Sequence, residues 1–159
     1  AASDVYKRQP LGSTKSKIND YTGWDNPNLT FNDRFAGQYQ NGDVRATATT
    51  TNNVWFPAYT TTIEKPAALR ISGFNVTNYT NLKLSYSIAA NNTSNQNIIK
   101  VDCGGTMMTV PDVAITTGNK YQTVELDIPD GISYIEFISD AANTVGFRID
   151  SIKLVGTSK

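Results

Sequence analysis

The sequence predicts an all-β protein, a two-sheet antiparallel β-sandwich of jelly-roll type with about nine strands. Short apolar runs alternate with clusters rich in Asn, Thr, Gly, Ser and Asp at a spacing of roughly 8–12 residues, which is typical of sandwiches and barrels. Several runs are apolar at every second residue, and no long window has a helical period. A chain of 159 residues is long enough for one domain with a real core.

The strands are predicted from this alternation. Residues 82–88 and 124–128 each place their apolar side chains on one face and their polar side chains on the other, as in a half-buried strand. Ile135 and Phe137 are buried in the same way, with Glu136 on the opposite face. Further strands are predicted at residues 68–74, 98–103 and 107–110.

The last predicted strand contains an irregularity. The apolar residues at odd positions from 145 to 149 share one face, whereas Ile152 and Leu154 are out of phase with them by one residue. A β-bulge produces such a slip. We therefore predict a bulge at Asp150 and Ser151 that can redirect the Asp150 side chain.

The domain is predicted to span residues 18–159. Residues 1–17 lack a periodic apolar pattern and are interpreted as a disordered tail. Residues 4–9 also resemble the translation of a transposase sequencing adapter, so an assembly scar from a metagenome is the alternative to a native linker.

Composition excludes several functions. The chain has no histidine and one cysteine, which removes a Ser-His-Asp triad, a Cys-His pair, a His-ligated metal and an internal disulfide. Its 14 basic and 14 acidic residues do not favour nucleic-acid binding. No apolar run reaches the roughly 20 residues of a membrane span. Cys103 is expected to be a buried, inert thiol.

Aromatic side chains within polar segments indicate sugar binding, because a ring stacks on a pyranose while amides bond its hydroxyls. Trp24 and Trp55 are the two candidate platforms, and Tyr59 follows Trp55 closely. Asn92 and Asn95 belong to an amide-rich loop between two strong strands. Each of these residues also has an ordinary structural explanation, as a core plug or a solvated loop.

Oxygen ligands are abundant, so calcium is the metal that the composition allows. The candidate ligands are Asp150 at the bulge and Asp25 and Asp33 near the start of the domain, because the first and last strands of a sandwich often lie side by side. A local role for Asp150, accepting hydrogen bonds from backbone amides, is the alternative.

Four segments carry a resemblance to a known class of domain. They are residues 55–57 (Trp-Phe-Pro), 69–74 (Leu-Arg-Ile-Ser-Gly-Phe), 81–86 (Asn-Leu-Lys-Leu-Ser-Tyr) and 145–156 at the C-terminal end. Together they resemble jelly-roll accessory domains of secreted or surface lipoproteins from Gram-negative gut bacteria, which look like galactose-binding-type carbohydrate-binding modules. The resemblance implies that Asp150, in the closing strand, is a calcium ligand.

We therefore expect a non-catalytic carbohydrate-binding module, located outside the cell or on its outer surface as part of a larger exported protein. Its expected partner is a glycan or cell-surface polysaccharide. The alternative is a structural or adhesion domain with no sugar ligand. A third hypothesis is a small glycoside hydrolase, for which Glu125 and Asp127, on one face of one strand, would supply the two carboxyl groups.

Overall fold

The chain forms antiparallel β-sheets throughout the part that the structure describes. The structure is a computed structural model that describes residues 2–4, 15–36, 42–46, 52–59, 66–116 and 120–159. These residues form fourteen strands and two 3₁₀ turns, Ile18–Asp20 and Gln96–Ile98. No helix among them is long and apolar enough to cross a membrane.

The strands are numbered in chain order. They are β1 (Ala2–Asp4), β2 (Ser16–Lys17), β3 (Thr30–Asn32), β4 (Asp43–Ala46), β5 (Asn52–Phe56), β6 (Ala67–Ser72), β7 (Tyr79–Ala90), β8 (Ser94–Asn95), β9 (Lys100–Cys103), β10 (Thr106–Met107), β11 (Ala114–Ile115), β12 (Gln122–Asp127), β13 (Tyr134–Ser139) and β14 (Phe147–Ser158).

Two large sheets pack face to face and confirm the predicted all-β sandwich. One has seven strands, in the order β12-β7-β14-β5-β4-β2, with β1 also paired to β14. The other has five strands, in the order β10-β9-β13-β6-β3, and β11 and β8 form a small two-stranded sheet. There are more strands than the nine predicted, because six of the fourteen are only two or three residues long. Residues of the predicted tail also pair into the seven-stranded sheet, Ala2–Asp4 with β14 and Ser16–Lys17 with β4, because backbone pairing needs no apolar pattern.

The core lies between the inner faces of the two sheets. Leu84 and Ile88 from one sheet and Leu69 and Phe137 from the other are fully buried. Tyr86 packs edge-on against Phe137 with the ring centroids 4.9 Å apart. Burying a side chain of this size contributes about 1.5–3 kcal/mol, so the alternation in the sequence determines which face of each strand is inside.

The predicted bulge is present in β14. Asp150 pairs with Ser87 but Lys153 pairs with Ser85, so β14 has one residue more than β7 between these two pairs. Ser151 adopts a positive φ of 51° at this point. The extra residue turns Ile152 back into the core, where 3% of it is exposed.

A second irregularity, which the sequence did not indicate, lies further along the same pair of strands. The register shifts again between Val155 and Thr157 of β14. Opposite this point, Asn81 of β7 has a positive φ of 51°. Irregularities of this kind are common at sheet edges and beside functional sites.

Glu136 is buried, although the alternation placed it on the polar face of its strand. Its carboxylate accepts hydrogen bonds from Arg34 Nε at 3.0 Å and from Arg70 Nε at 3.1 Å. Arg70 also lies over the ring of Tyr134 at 3.9 Å. The two guanidinium groups compensate the charge of Glu136 and cover this part of the outer face of the five-stranded sheet.

Two buried tyrosine hydroxyls are predicted to contribute differently to stability. The Tyr86 hydroxyl has no hydrogen-bond partner among the described residues, whereas the Tyr21 hydroxyl accepts a hydrogen bond from Asn52 Nδ2 at 2.8 Å. Tyr86→Phe is therefore expected to leave the free energy of unfolding unchanged or to raise it, and Tyr21→Phe to lower it by about 1 kcal/mol. Urea unfolding of both variants tests this, and a larger loss for Tyr86→Phe would contradict it.

Cys103 is buried as expected, and burial raises the pKa of its thiol from 9.0 to about 12. Above pH 9 the unfolded chain loses the thiol proton while the folded chain keeps it, so the stability falls as the pH rises from about 9 towards 12. We expect Cys103→Val to reduce the slope of the free energy of unfolding between pH 9 and pH 10.5. An unchanged slope would show that the thiol makes no such contribution.

Candidate functional site

A group of polar and aromatic side chains lies on the outer face of the seven-stranded sheet. Trp55 of β5 is opposite Asp43 of β4 on one side and Arg148 of β14 on the other. These side chains point away from the core, because residues at alternate positions of a strand share a face. We call this surface the arginine–aromatic face, and it comprises Asp43, Arg45, Asn53, Trp55, Tyr121, Arg148 and Asp150.

Trp55 is held between the strands by its neighbours. The guanidinium carbons of Arg148 and Arg45 lie 4.6 and 5.0 Å from the centroid of its ring. Its six-membered ring rests on Gly146, where an added Cβ atom would come within 2.2 Å of Trp55 Cη2. The indole is therefore a fixed support for two cationic groups, each of which gains from contact with the ring.

The two arginines have different partners. Arg45 forms a bidentate ion pair with Asp43, with nitrogen–oxygen distances of 2.6 and 2.5 Å. Arg148 Nη1 donates to Asn53 Oδ1 at 3.2 Å. Burial lowers the pKa of Arg148, and the nearby charge of Arg45 acts in the same direction. Arg148 is thus a partly desolvated cation positioned by a neutral amide.

Asn53 is fully buried beneath this face. Its Oδ1 atom is used by Arg148, but its Nδ2 atom has no acceptor in the described part of the chain. A buried amide donor without a partner costs about 1–3 kcal/mol. The site therefore includes a structurally unfavourable group directly beside its arginine.

Tyr121 supplies an exposed ring at the other side of Arg148. It is 39% exposed, and continuing the β12–β7 register places it beside Ala89, which pairs with Arg148. Partial burial raises the pKa of Tyr121 to about 12; the charge of Asp150 acts in the same direction and that of Arg148 opposes it. Ala89 is fully buried although it points outwards, so the larger side chains around it close over it.

This arrangement is suited to recognising hydroxyl groups. Guanidinium groups donate hydrogen bonds, carboxylates accept them, and an exposed tyrosine ring can stack on the apolar face of a sugar. These groups lie on one outer surface of the seven-stranded sheet, and the strand pairing of β4, β5 and β14 fixes the spacing of most of them.

The structure gives Trp24 different surroundings from those expected of a binding platform, while the binding role of Tyr59 stays a prediction. Trp24 stacks on Phe31 with centroids 4.0 Å apart and an interplanar angle of 5°, and it contacts Tyr21 edge-on at 5.1 Å. One face of its ring is therefore used inside the protein, and it packs against the core. Tyr59 is partly buried, and its backbone N–H donates to Asn143 O at 2.8 Å.

The side chains of the amide-rich loop form specific hydrogen bonds within the protein. Asn95 Oδ1 caps the second 3₁₀ turn by accepting from Asn97 N, and its Nδ2 donates to Asp112. Asn92 is exposed and accepts from Thr93 N at 2.8 Å. Gln96, in the same segment, is only 4% exposed, and its side-chain amide donates to Pro111 O at 2.9 Å.

The three candidate calcium ligands do not form one site. Among the described residues, no three Asp, Glu or Cys side chains are grouped so that they could hold a metal ion. Asp33 is buried and accepts hydrogen bonds from the backbone N–H groups of Phe35, Gly42 and Ala68, and Asp150 Oδ1 accepts from Ser151 N at 2.8 Å. Asp25 lies exposed on its loop. These carboxylates do not fit a shared calcium ion, and calcium binding stays a prediction.

The carboxylates considered for hydrolysis lie on the same outer surface of the sheet, four and six residues beyond Tyr121 along the edge strand β12. Lys83 Nζ is 2.8 Å from Asp127 Oδ1 and 3.8 Å from Glu125 Oε1. The two acidic side chains are 85% and 64% exposed. They form an exposed ion-pair cluster around one lysine.

Tyr121, Arg148 and Asn53 were missed by the sequence analysis. The alternation around Phe147 and Ile149 does place Arg148 on an outer face, and this was the one signal available. The outer position of Arg148 indicates a binding site only when β14 lies beside β5. That pairing is non-local, and no local pattern in the sequence indicates it.

Comparisons with known proteins support the fold. No protein-family model matches the chain, and no curated protein matches it. Among solved structures, a family 29 carbohydrate-binding module from Piromyces equi matches with a TM-score of 0.52 and 11% identity, over 98% of this chain and 91% of that one. A cleaved adhesin domain of Lys-gingipain from Porphyromonas gingivalis matches with a TM-score of 0.57 and 11% identity, over 99% and 100% of the two chains.

A third solved structure is a xylan-binding domain from Paenibacillus barcinonensis, described as a family 22 carbohydrate-binding module. Its TM-score is 0.50 at 9% identity, over 92% of this chain and 94% of that one. At these identities the likeness establishes a shared jelly-roll fold. The three matches cover between 92% and 99% of this chain and between 91% and 100% of the other chains.

Gly146 is predicted to be essential for the position of Trp55. Its φ is +86° and a Cβ there would clash with the indole, whereas Gly131 has a similar φ of +73° and open space around it. Gly131→Ala is expected to cost about 1–2 kcal/mol for the left-handed backbone alone, and Gly146→Ala distinctly more, with a changed tryptophan emission spectrum. Equal losses of stability and unchanged emission would show that Gly146 does not support Trp55.

Proposed function

We propose that this domain is a non-catalytic carbohydrate-binding module of a larger exported cell-surface protein, and that it binds glycan at the arginine–aromatic face. The observation that carries the proposal is the placement of Tyr121, Arg148 and Asp150 together on one outer sheet surface. The solved carbohydrate-binding modules with this fold support the proposal.

In this proposal the exposed ring of Tyr121 stacks on a sugar residue, while Arg148 donates hydrogen bonds to its hydroxyl groups. Asp150 is only 9% exposed, so it contributes its charge to the face and makes no stacking contact. Trp55 has a different role from the one first predicted. Since two guanidinium groups lie over its ring, Trp55 serves chiefly to hold Arg45 and Arg148 in place. Recognition then depends on arginine donors supported by an aromatic ring, with one stacking platform beside them.

An adhesion domain is the second candidate. The adhesin domain with the same fold supports it, as do two exposed apolar side chains, Met107 and Val113, which are 53% and 47% exposed. Met107 lies on β10, at an edge of the five-stranded sheet, whereas the arginine–aromatic face belongs to the seven-stranded sheet. The two functions therefore predict sensitivity to substitutions on different surfaces.

Glycan binding is tested by screening the full chain on a glycan array and measuring affinities for the ligands found. We expect Tyr121→Ala and Arg148→Ala each to weaken binding at least tenfold, about 1.4 kcal/mol, because each removes a direct contact. Lys153→Ala, an exposed residue of the same strand beyond the bulge, is the matched control and is expected to bind like the parent chain.

Three results would count against this proposal. Binding to no glycan would remove the function. Binding that survives both substitutions would remove the site. Adhesion to a protein surface that is lost in Met107→Ala and retained in Tyr121→Ala would favour the adhesion domain instead.

A further inference from the structure

A cavity lies at the other end of β14, between the two sheets and separate from the arginine–aromatic face. Its volume is about 310 Å³. Gly156 lies in its wall, eight residues beyond Arg148, which corresponds to roughly 25 Å along a strand. The loop before β3, the loop between β6 and β7, and the end of β14 form its walls.

The floor of the cavity is apolar and belongs to the core. Val76, Leu82 and Leu154 line it, and they are 6%, 2% and 3% exposed. Phe74 and Tyr79, both partly buried, also line it. A ligand that enters therefore meets aliphatic and aromatic surface beneath it.

The rim of the cavity carries side-chain amides. Asn26, Asn28 and Asn75 line it. The Oδ1 atom of Asn26 accepts from Asn28 N at 3.1 Å, and that of Asn75 accepts from Thr77 N at 3.0 Å. These bonds fix two of the amides and leave their NH₂ groups as the donors that remain for a ligand.

The second strand irregularity shapes this cavity. Gly156 lies at the register shift of β14, and a Cβ there would come within 2.7 Å of Leu82 Cδ2 and 3.1 Å of Tyr79 Cβ. The absence of a side chain lets these two residues approach β14 and form the cavity wall. The register shift at Gly156, the missing side chain of this residue and the cavity wall thus belong to one local structure.

The lining selects for neutral ligands. Among the described residues that line the cavity, none is Lys, Arg, Asp or Glu. A charged ligand would therefore lose its bound water without gaining a counter-charge. At roughly 30 Å³ per water, the volume corresponds to about ten water molecules, close to the dozen non-hydrogen atoms of a hexose. An apolar floor with amide donors at the rim matches a pyranose ring with its hydroxyls.

We infer that this cavity is a second carbohydrate site, which takes one neutral hexopyranose residue at the end of a glycan chain. The inference rests on the proposed function only in that both sites take glycan, since the two share no residue. Phe74 and Tyr79 supply ring contacts, and the three rim amides bond the hydroxyl groups.

The test is a titration of the isotope-labelled full chain with D-glucose, D-galactose, D-mannose and N-acetyl-D-glucosamine, followed by NMR. We expect saturable shifts of the Val76, Leu82 and Leu154 methyl signals with at least one of these sugars. Signals of Tyr121 and Arg148 are expected to stay in place at concentrations that saturate the cavity. No saturable methyl shift with any of the four sugars would overturn the inference.

Two variants localise the binding. Asn28→Phe places a ring at the mouth of the cavity, and Asn75→Asp keeps the acceptor for Thr77 N while removing the NH₂ donor. Each is expected to weaken binding at least tenfold. Asn78→Phe is the control for an added ring. Asn78 is exposed on the loop that carries Asn75, and it does not line the cavity.

The outcomes separate this inference from the proposed function. Unchanged affinity in both Asn28→Phe and Asn75→Asp would overturn the cavity site, as would tighter binding of glucuronate than of glucose. Loss of array binding in Tyr121→Ala with the methyl shifts retained would show two independent sites. Array binding without methyl shifts would leave the arginine–aromatic face as the glycan site and remove the cavity.

Discussion

The pairing of β14 with β7 is the constraint on which the rest of the structure depends. Both strands are twelve residues long, and β14 also carries β5 on its other side over its first half and β1 over its second half. A single strand therefore fixes the position of most of the seven-stranded sheet. A one-residue shift in its register would move every side chain on it to the opposite face.

The bulge at Asp150 and Ser151 allows one strand to satisfy two apolar patterns. In a regular strand, either Phe147 and Ile149 or Ile152 and Leu154 would point to water. The extra residue keeps all four side chains in the core, at the cost of a left-handed Ser151. Because the bulge follows directly after Asp150, this side chain stays on the outer face beside the row that contains Arg148.

Unfavourable features accumulate at the arginine–aromatic face. Asn53 Nδ2 is buried without an acceptor, Arg148 is partly desolvated, and Gly146 must adopt a positive φ beneath Trp55. On the outer face of the other sheet, the fully buried Glu136 has two arginine partners. Selection for stability alone would remove such features, so their concentration beside an exposed tyrosine favours a binding role.

Local patterns in the sequence were sufficient for β6, β7, β12, β13 and β14, for their inward faces and for the bulge after Asp150, because each of these depends on residues within a few positions of one another. The site was only partly predictable. Trp55 and Asp150 were singled out from their own surroundings, but their neighbours on the face come from non-adjacent strands. Trp24 looked equivalent to Trp55 in the sequence, and only the packing of Phe31 against its ring distinguishes the two.

The shapes of the two proposed sites determine which parts of a glycan each can bind. The arginine–aromatic face is an outer sheet surface, so a long chain can cross it and the contacts do not require a chain end. The cavity ends on buried leucines, so a sugar enters it only where the chain stops. The two sites lie roughly 25 Å apart along β14, so a glycan must be several sugar residues long to occupy both. Only such a glycan gains affinity from binding both sites, because its first contact raises the effective concentration of its other end at the second site. Short oligosaccharides would therefore bind the two sites independently, whereas longer ones with a neutral terminal residue would bind more tightly than either site alone allows.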